Sequence, residues 1–383
     1  MSELTGEQQS GPVAESKKVP VPTHIRALPR YVPGRSEQSV AREYGLTRIV
    51  KLASNENPLG CSSRVVQALA EQFGGADTAL ARYPDSEAFD LRNALARYHG
   101  VPPNHIAVTN GSHELIDLCA ALSLREGTTG LYSQYAFQAY PISIKARGAA
   151  AIEVPARDYR HDPVAMRAAL TAATRLVYIC NPNNPTGTLL SQPEIESILD
   201  AAGPDTLVVL DEAYIDYLDP ALRPDSISLV ERYPQLVVAR TFSKAYGLAS
   251  LRVGYGIMHP DLVDAIGRIR PTFSVNALAQ RAALAALADR AFLQRTQSVN
   301  RAGIVQITQM LERHGIEFVP THANFIAIRL SDASTVAQRL LQAGVVVRPL
   351  GAYELNDFVR VTVGTEEEND VFLRALLALP ERI

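Results

Sequence analysis

Lysine is scarce in this chain. Five lysines (17, 18, 51, 145 and 244) leave 32 of the 37 basic residues as arginine, and Lys244 is the sole lysine after Lys145. A position that needs only positive charge accepts arginine. One that needs an amine able to lose its proton and attack a carbonyl does not. Lys244 lies in TFSKAYGLASLRVGY (241–255), directly after an apolar run. A desolvated amine there has a lowered pKa and can form a Schiff base with an aldehyde cofactor. Ser243 supplies a hydroxyl and Arg252 a guanidinium fork, both suited to a phosphate. Gly247 and Gly254 allow a tight backbone path.

Three further motifs carry compatible chemistry. In TNGSHE (109–114), a strand runs into a helix, so Gly111, Ser112 and His113 present N–H groups and the helix dipole to an anion. The same residues also read as an ordinary N-cap with Glu three positions on. DEAY (211–214) ends an apolar strand. Asp211 there could hold a heterocyclic nitrogen protonated, which makes the ring an electron sink. The Tyr214 phenol could reach a phenolic oxygen on the same ring. NPNNPTG (181–187), with two prolines and three asparagines, fixes a rigid turn in which Asn184 is the donor candidate for that oxygen.

These motifs need a scaffold, and the periodicity supplies one. From about 62 to 270, short apolar runs alternate with amphipathic segments. Continuous apolar strands separated by helices imply an α/β fold with a mostly parallel sheet covered on both faces. Chemistry in such sheets collects beyond the carboxyl ends of the strands, where all four motifs fall. After 270 the helical segments 276–297 and 300–315 lead to short strands and helices of a smaller α+β domain. The expected division is a flexible tail over 1–22, a segment 23–60 packing with the small domain, a large domain over 61–290 and a small one over 291–383. A net charge of −3 gives no reason to expect nucleic acid or an anionic membrane surface as partner. No apolar run approaches the ~20 residues of a membrane span, and the polar N-terminus lacks a secretory signal. Cys61, Cys119 and Cys180 lack metal-ligand spacing, so no metal is expected, and three unpaired thiols suit the cytoplasm.

Together the four motifs resemble those of the fold-type I, pyridoxal-5′-phosphate (PLP)-dependent aminotransferases. The match is closest to the histidinol-phosphate aminotransferase family, in its branch with YVPGR and SQYAF sequences. It runs from about Tyr31 to the last helix and takes in NENPLG (55–60), RYPD (82–85), SQYAFQAYP (133–141), VRPL (347–350) and VRVTVGT (359–365). The resemblance implies that Lys244 carries PLP and then serves as general base in ping-pong transamination of L-histidinol phosphate with 2-oxoglutarate. It implies a homodimer in which Tyr83 touches the partner's PLP phosphate. The aromatic stacked on the ring falls on Phe137, with Tyr135 as the alternative. Arg360 matches the arginine for the acidic end of the substrate, and Arg348 an additional substrate-facing arginine. Tyr31 and Asn324 fall at substrate-facing positions. His113 replaces the usual Asp or Asn, making the phosphate's surroundings more positive, and Ser250 replaces a glycine, crowding the loop beside Arg252. Aromatic amino acids are the rival substrates, since relatives accept them. A PLP decarboxylase of a phosphorylated amino acid keeps the same cofactor motifs. A non-catalytic PLP-binding regulator is the remaining alternative, and the short polar tail lacks the DNA-binding extension such proteins carry.

Overall fold

The structure, a computed structural model, describes residues 19–30, 34–35, 37–73 and 81–380. Most of the tail expected over 1–22, and Tyr31, therefore lie outside the described residues; residues 19–22 are exposed.

A short strand, Val50–Lys51 (β1), precedes the main sheet. That sheet is built from Ile106–Thr109 (β2), Thr129–Ser133 (β3), Ala150–Val154 (β4), Thr174–Cys180 (β5), Leu207–Asp211 (β6), Leu236–Thr241 (β7) and Gly254–Met258 (β8). Its order is β2-β8-β7-β6-β5-β3-β4. Six strands run in one direction, while β8 alone is reversed, antiparallel to both its neighbours, β2 and β7. Alternate residues of the central strands enter different cores. Val208 and Leu210 pack on one face, and Leu207 and Val209 on the other. Burial on both sides is why these strands read as unbroken apolar runs. β4 is the exception: an edge strand with mostly solvent-facing residues.

Two strands of the main sheet escaped the sequence pattern. β3 (TGLYS) is short and contains Gly130, where a Cβ would come within 2.6 Å of Ile144. The helix Ala139–Lys145 thus packs against bare backbone. β8 (GYGIM) carries two glycines and was absorbed in the Lys244 motif.

A second sheet joins Phe318–Val319 (β9), Phe325–Arg329 (β10), Arg348–Pro349 (β12) and Phe358–Thr362 (β13) in antiparallel order β12-β13-β10-β9. Val345–Val346 (β11) pairs in parallel with β1, and Val50 and Leu52 enter the core of this second sheet. The helical boundary expected near residue 298 falls instead at Asp289, between Ala277–Ala288 and Arg290–Arg313. The Asp289 carboxylate caps the second helix by accepting from Phe292 N and also takes the Ser62 hydroxyl. Among the described residues no helix is long and apolar enough to cross a membrane.

Candidate active site

The carboxyl ends of β5, β6 and β7 and the adjoining end of β2 open onto one cavity of about 200 Å³. At its floor, Lys244 Nζ donates to Ser54 O at 3.1 Å and lies 5.7 Å from the centre of the Tyr214 ring. Burial, reinforced by the nearby Arg360 guanidinium, lowers the Lys244 amine to about 8. A substantial neutral fraction at mild pH is what a carbonyl-directed nucleophile requires.

Asp211, at the last position of β6, is buried. Its Oδ2 accepts from Tyr140 OH at 2.8 Å and its Oδ1 from Ala213 N at 3.1 Å. Burial raises its pKa and the Tyr140 hydrogen bond opposes that rise. Tyr140 was not singled out in the sequence. It sits three residues after Phe137 in the same SQYAFQAYP motif, its N–H bonded to Phe137 O at 3.0 Å, a proximity that could have flagged it. Its fully buried ring stacks on Tyr178 at 4.5 Å, which fixes the hydroxyl. Tyr140→Phe should therefore leave Oδ2 without a donor and lift the Asp211 pKa further. A raised carboxyl pKa penalises the ionised folded state, so the variant should lose roughly 1–3 kcal/mol of stability at pH 7. Less should be lost at a lower pH such as about pH 4, because uptake of a proton removes the charge that the missing donor served. Denaturant unfolding at the two pH values checks this; equal losses would contradict it.

A second group of residues forms an anion nook. Gly111 opens the helix Gly111–Ser123 with φ +77°, and a Cβ there would lie 2.7 Å from Arg252 Nη2. A Cβ at Gly254 would lie 2.5 Å from Ser112 N. Arg252 Nη1 donates to Ser243 Oγ at 3.3 Å and to Ala249 O at 3.0 Å. Helix N–H groups, a hydroxyl and a guanidinium thus converge at a spot that two glycines keep open, an arrangement suited to a phosphate dianion. His113 lines the cavity with Nε2 3.7 Å from Asp117 Oδ2, and its charge, when present, favours ionised Asp211. Ser250 is exposed in the turn Ala249–Leu251.

The third wall belongs to the second sheet. Arg360 is buried, donating from Nη1 to Asn184 Oδ1 and from Nη2 to Ala53 O at 2.8 Å. Its buried Nε has no partner among the described residues. With Oδ1 engaged, Asn184 has its Nδ2 hydrogens to offer to a phenolic oxygen. Arg348 stands directly across from Arg360 on the neighbouring strand and also lines the cavity. Asn55, at φ +56°, donates from Nδ2 to Tyr214 OH at 2.8 Å, leaving the phenol hydrogen to donate elsewhere.

The remaining candidates separate by position. Phe137 lines the cavity, edge-on to both His113 and Tyr140. Tyr135, the alternative, has φ +57° and lines a neighbouring cavity instead. Asn324 does not line the active-site cavity: its amide donates to Asn55 O at 3.2 Å and supports that loop from behind. Tyr83 is 82% exposed, stacked on Phe273 at 4.6 Å, away from this chain's own cavity.

A parallel α/β sheet with an amine, a buried acid and an anion nook at its carboxyl edge defines a class. The sequence model of the family described as aminotransferase class I and II matches residues 47–376. A histidinol-phosphate aminotransferase 2 from Ralstonia nicotianae is 48% identical over 93% of this chain and 96% of its own. A histidinol-phosphate aminotransferase 1 from Thiobacillus denitrificans is 49% identical over 93% and 92%. The solved histidinol-phosphate aminotransferase of Sinorhizobium meliloti, in complex with pyridoxal-5′-phosphate, superposes with a TM-score of 0.86 at 28% identity, covering 94% of this chain and 97% of that one. The chain belongs to the class I and II aminotransferases and, within them, to the histidinol-phosphate aminotransferase family.

Proposed function

We propose that this enzyme transfers an amino group between L-histidinol phosphate and 2-oxoglutarate, with PLP as cofactor, as a cytoplasmic homodimer. The observation that carries the substrate reading is Arg348 and Arg360 facing each other across β12 and β13 at the cavity that Lys244 floors. Paired guanidiniums suit both a phosphate monoester and the second carboxylate of a dicarboxylic keto acid.

The residues present fit PLP. The nook kept open by Gly111 and Gly254 suits its phosphate, and the buried acid and neutral-prone amine suit its ring nitrogen and aldehyde. When bound, PLP supplies the carbonyl that accepts the amino group and an electron sink that acidifies the substrate Cα–H. Lys244 would hold the cofactor through Nζ and would be the base that moves the proton at the substrate Cα. Asp211 would keep the ring nitrogen protonated, and Asn184 and Tyr214 would hold the phenolic oxygen. Phe137 would supply the aromatic contact to the ring. Gly111, Ser112, His113, Ser243 and Arg252 hold the phosphate from this chain, and Tyr83, too exposed to serve its own site, holds the partner's. We divide the chain into a cofactor domain over 61–290 and a small domain over 291–383 with 23–60 packed on it; the separate cores of the two sheets support that division.

The deciding experiment adds L-histidinol phosphate, L-phenylalanine, L-tyrosine, L-aspartate or L-glutamate singly to the holoenzyme and follows conversion to the pyridoxamine form. Rapid conversion by histidinol phosphate and glutamate supports the proposal. Conversion chiefly by aromatic amino acids moves the assignment to aromatic transamination, and release of CO₂ moves it to decarboxylation. Arg360→Lys keeps the charge and loses the fork. It should lower kcat/KM for the phosphorylated donor about ten- to 150-fold, the equivalent of roughly 1.5–3 kcal/mol. An unchanged value would remove Arg360 from the substrate site.

A pH dependence follows from the amine. Only neutral Lys244 can attack an aldehyde, so the rate at which apoenzyme loads PLP should climb with pH and level off above about 8. Stability moves the same way. The folded pKa lies below the unfolded value, so the unfolded chain binds more protons between the two and apoenzyme stability rises with pH across that window. A loading rate still rising tenfold per pH unit beyond 9 would show an ordinary surface amine.

A further inference from the structure

Next to the catalytic cavity lies a second one of about 370 Å³, within the roughly 300–1,000 Å³ usual for small-ligand sites. Its walls come from residues 28–30, from the stretch 132–145 and from the turn Gly351–Tyr353 with Glu354. Gln138 Nε2 donates to Ala352 O at 2.7 Å and ties the last two walls together. The interior is aromatic. Tyr132 and Tyr353 are buried, and Tyr135 is half-buried. Burial, with Glu153 and then Glu354 close by, pushes the Tyr132 phenol up, which places both acids beside the same ring.

The rim carries charges of both signs. Arg30, Lys145, Glu153 and Glu354 are exposed around the opening, and none belongs to an ion pair formed among the described residues. Cations and anions that face one cavity without pairing to each other suit a ligand that carries both charges itself. An aromatic interior suits a flat ring.

We propose that this second cavity is an effector site for an α-amino acid with a flat side-chain ring. Arg30 and Lys145 meet the carboxylate, Glu153 and Glu354 meet the ammonium, and the three tyrosines hold the ring. Arg348 and Tyr353 line both cavities. An occupant therefore competes with an anionic amino donor for the placement of the same two side chains, and occupancy weakens donor binding.

The chain contains no tryptophan, so free L-tryptophan reports its own binding by fluorescence. Titrated into holoenzyme, it should bind without changing the cofactor spectrum, be displaced by L-histidine or L-phenylalanine, and raise the donor KM. The rise at saturation should fall within roughly five- to 150-fold, the usual span of coupling between two sites. Lys145→Glu and Glu354→Lys should each abolish this binding and its effect on KM while leaving the kinetics without L-tryptophan unchanged. Tryptamine and indole-3-propionate, each lacking one charge, should bind more weakly than L-tryptophan. The proposal is overturned by any of three results: binding only together with a change in the cofactor spectrum, binding that both charge reversals leave intact, or no binding at millimolar L-tryptophan.

Discussion

Lys244→Ala abolishes turnover, with a loss of at least about 10⁴-fold, and removes the visible absorbance that PLP acquires on a protein lysine. Among the described residues no other amine is placed to substitute. Lys51 Nζ is paired with Glu56 at 2.8 Å, and Lys145 lies on the rim of the second cavity. The substitution removes two roles at once, the covalent hold on the cofactor and the base that moves the Cα proton, so its effect exceeds that of any neighbour. The fold should survive, because Lys244 is a desolvated cation whose burial disfavours the folded state below pH 8. Retention of the absorbance, or of more than a trace of turnover, would refute the role given to Lys244.

Asp211→Asn should lower kcat by about 10²- to 10³-fold while PLP affinity falls far less. The amide matches the carboxylate in shape but carries no negative charge with which to hold a proton on the ring nitrogen. Its NH₂ end must also face either Ala213 N, a donor only, or Tyr140 OH, which would then turn from donor to acceptor. The phosphate nook around Gly111, Ser243 and Arg252 is untouched, so binding persists. Single-turnover rates and cofactor titration, measured on one preparation, separate the two effects. A fall in rate below tenfold would move Asp211 from electronic control to simple orientation.

Much of this site was legible in the sequence because a parallel sheet makes it so. Each chemical motif follows an apolar run, and the carboxyl edge gathers those loops whatever the intervening helices do. Lys244, Asp211, Asn184 and the Gly111 turn accordingly meet in one cavity, to which the second sheet brings Arg360. What escaped were contacts set by tertiary packing. Tyr140 reaches Asp211 only through the way the helix Ala139–Lys145 seats on the sheet. Asn55 comes from a loop whose left-handed backbone carries no periodicity. Asn324, read as substrate-facing, turns its amide to the Asn55 carbonyl because the second sheet ends behind that loop. The boundary at Asp289 was masked by an alanine-rich run on one side and good helix formers on the other, and only the capping carboxylate marks it.

The antiparallel return of β8 has a dynamic consequence. It carries Gly254 back to Ser112, so the two halves of the anion nook lie some 140 residues apart in sequence yet share one ladder. A phosphate gripped there ties together β2, β8 and β7, the three strands at one end of the sheet. Opening of the β7–β8 turn must then release the ligand first. Amide hydrogens of β2 and β8 should exchange with solvent far more slowly in holoenzyme than in apoenzyme, while those of β4, at the opposite edge, should exchange at nearly the same rate in both.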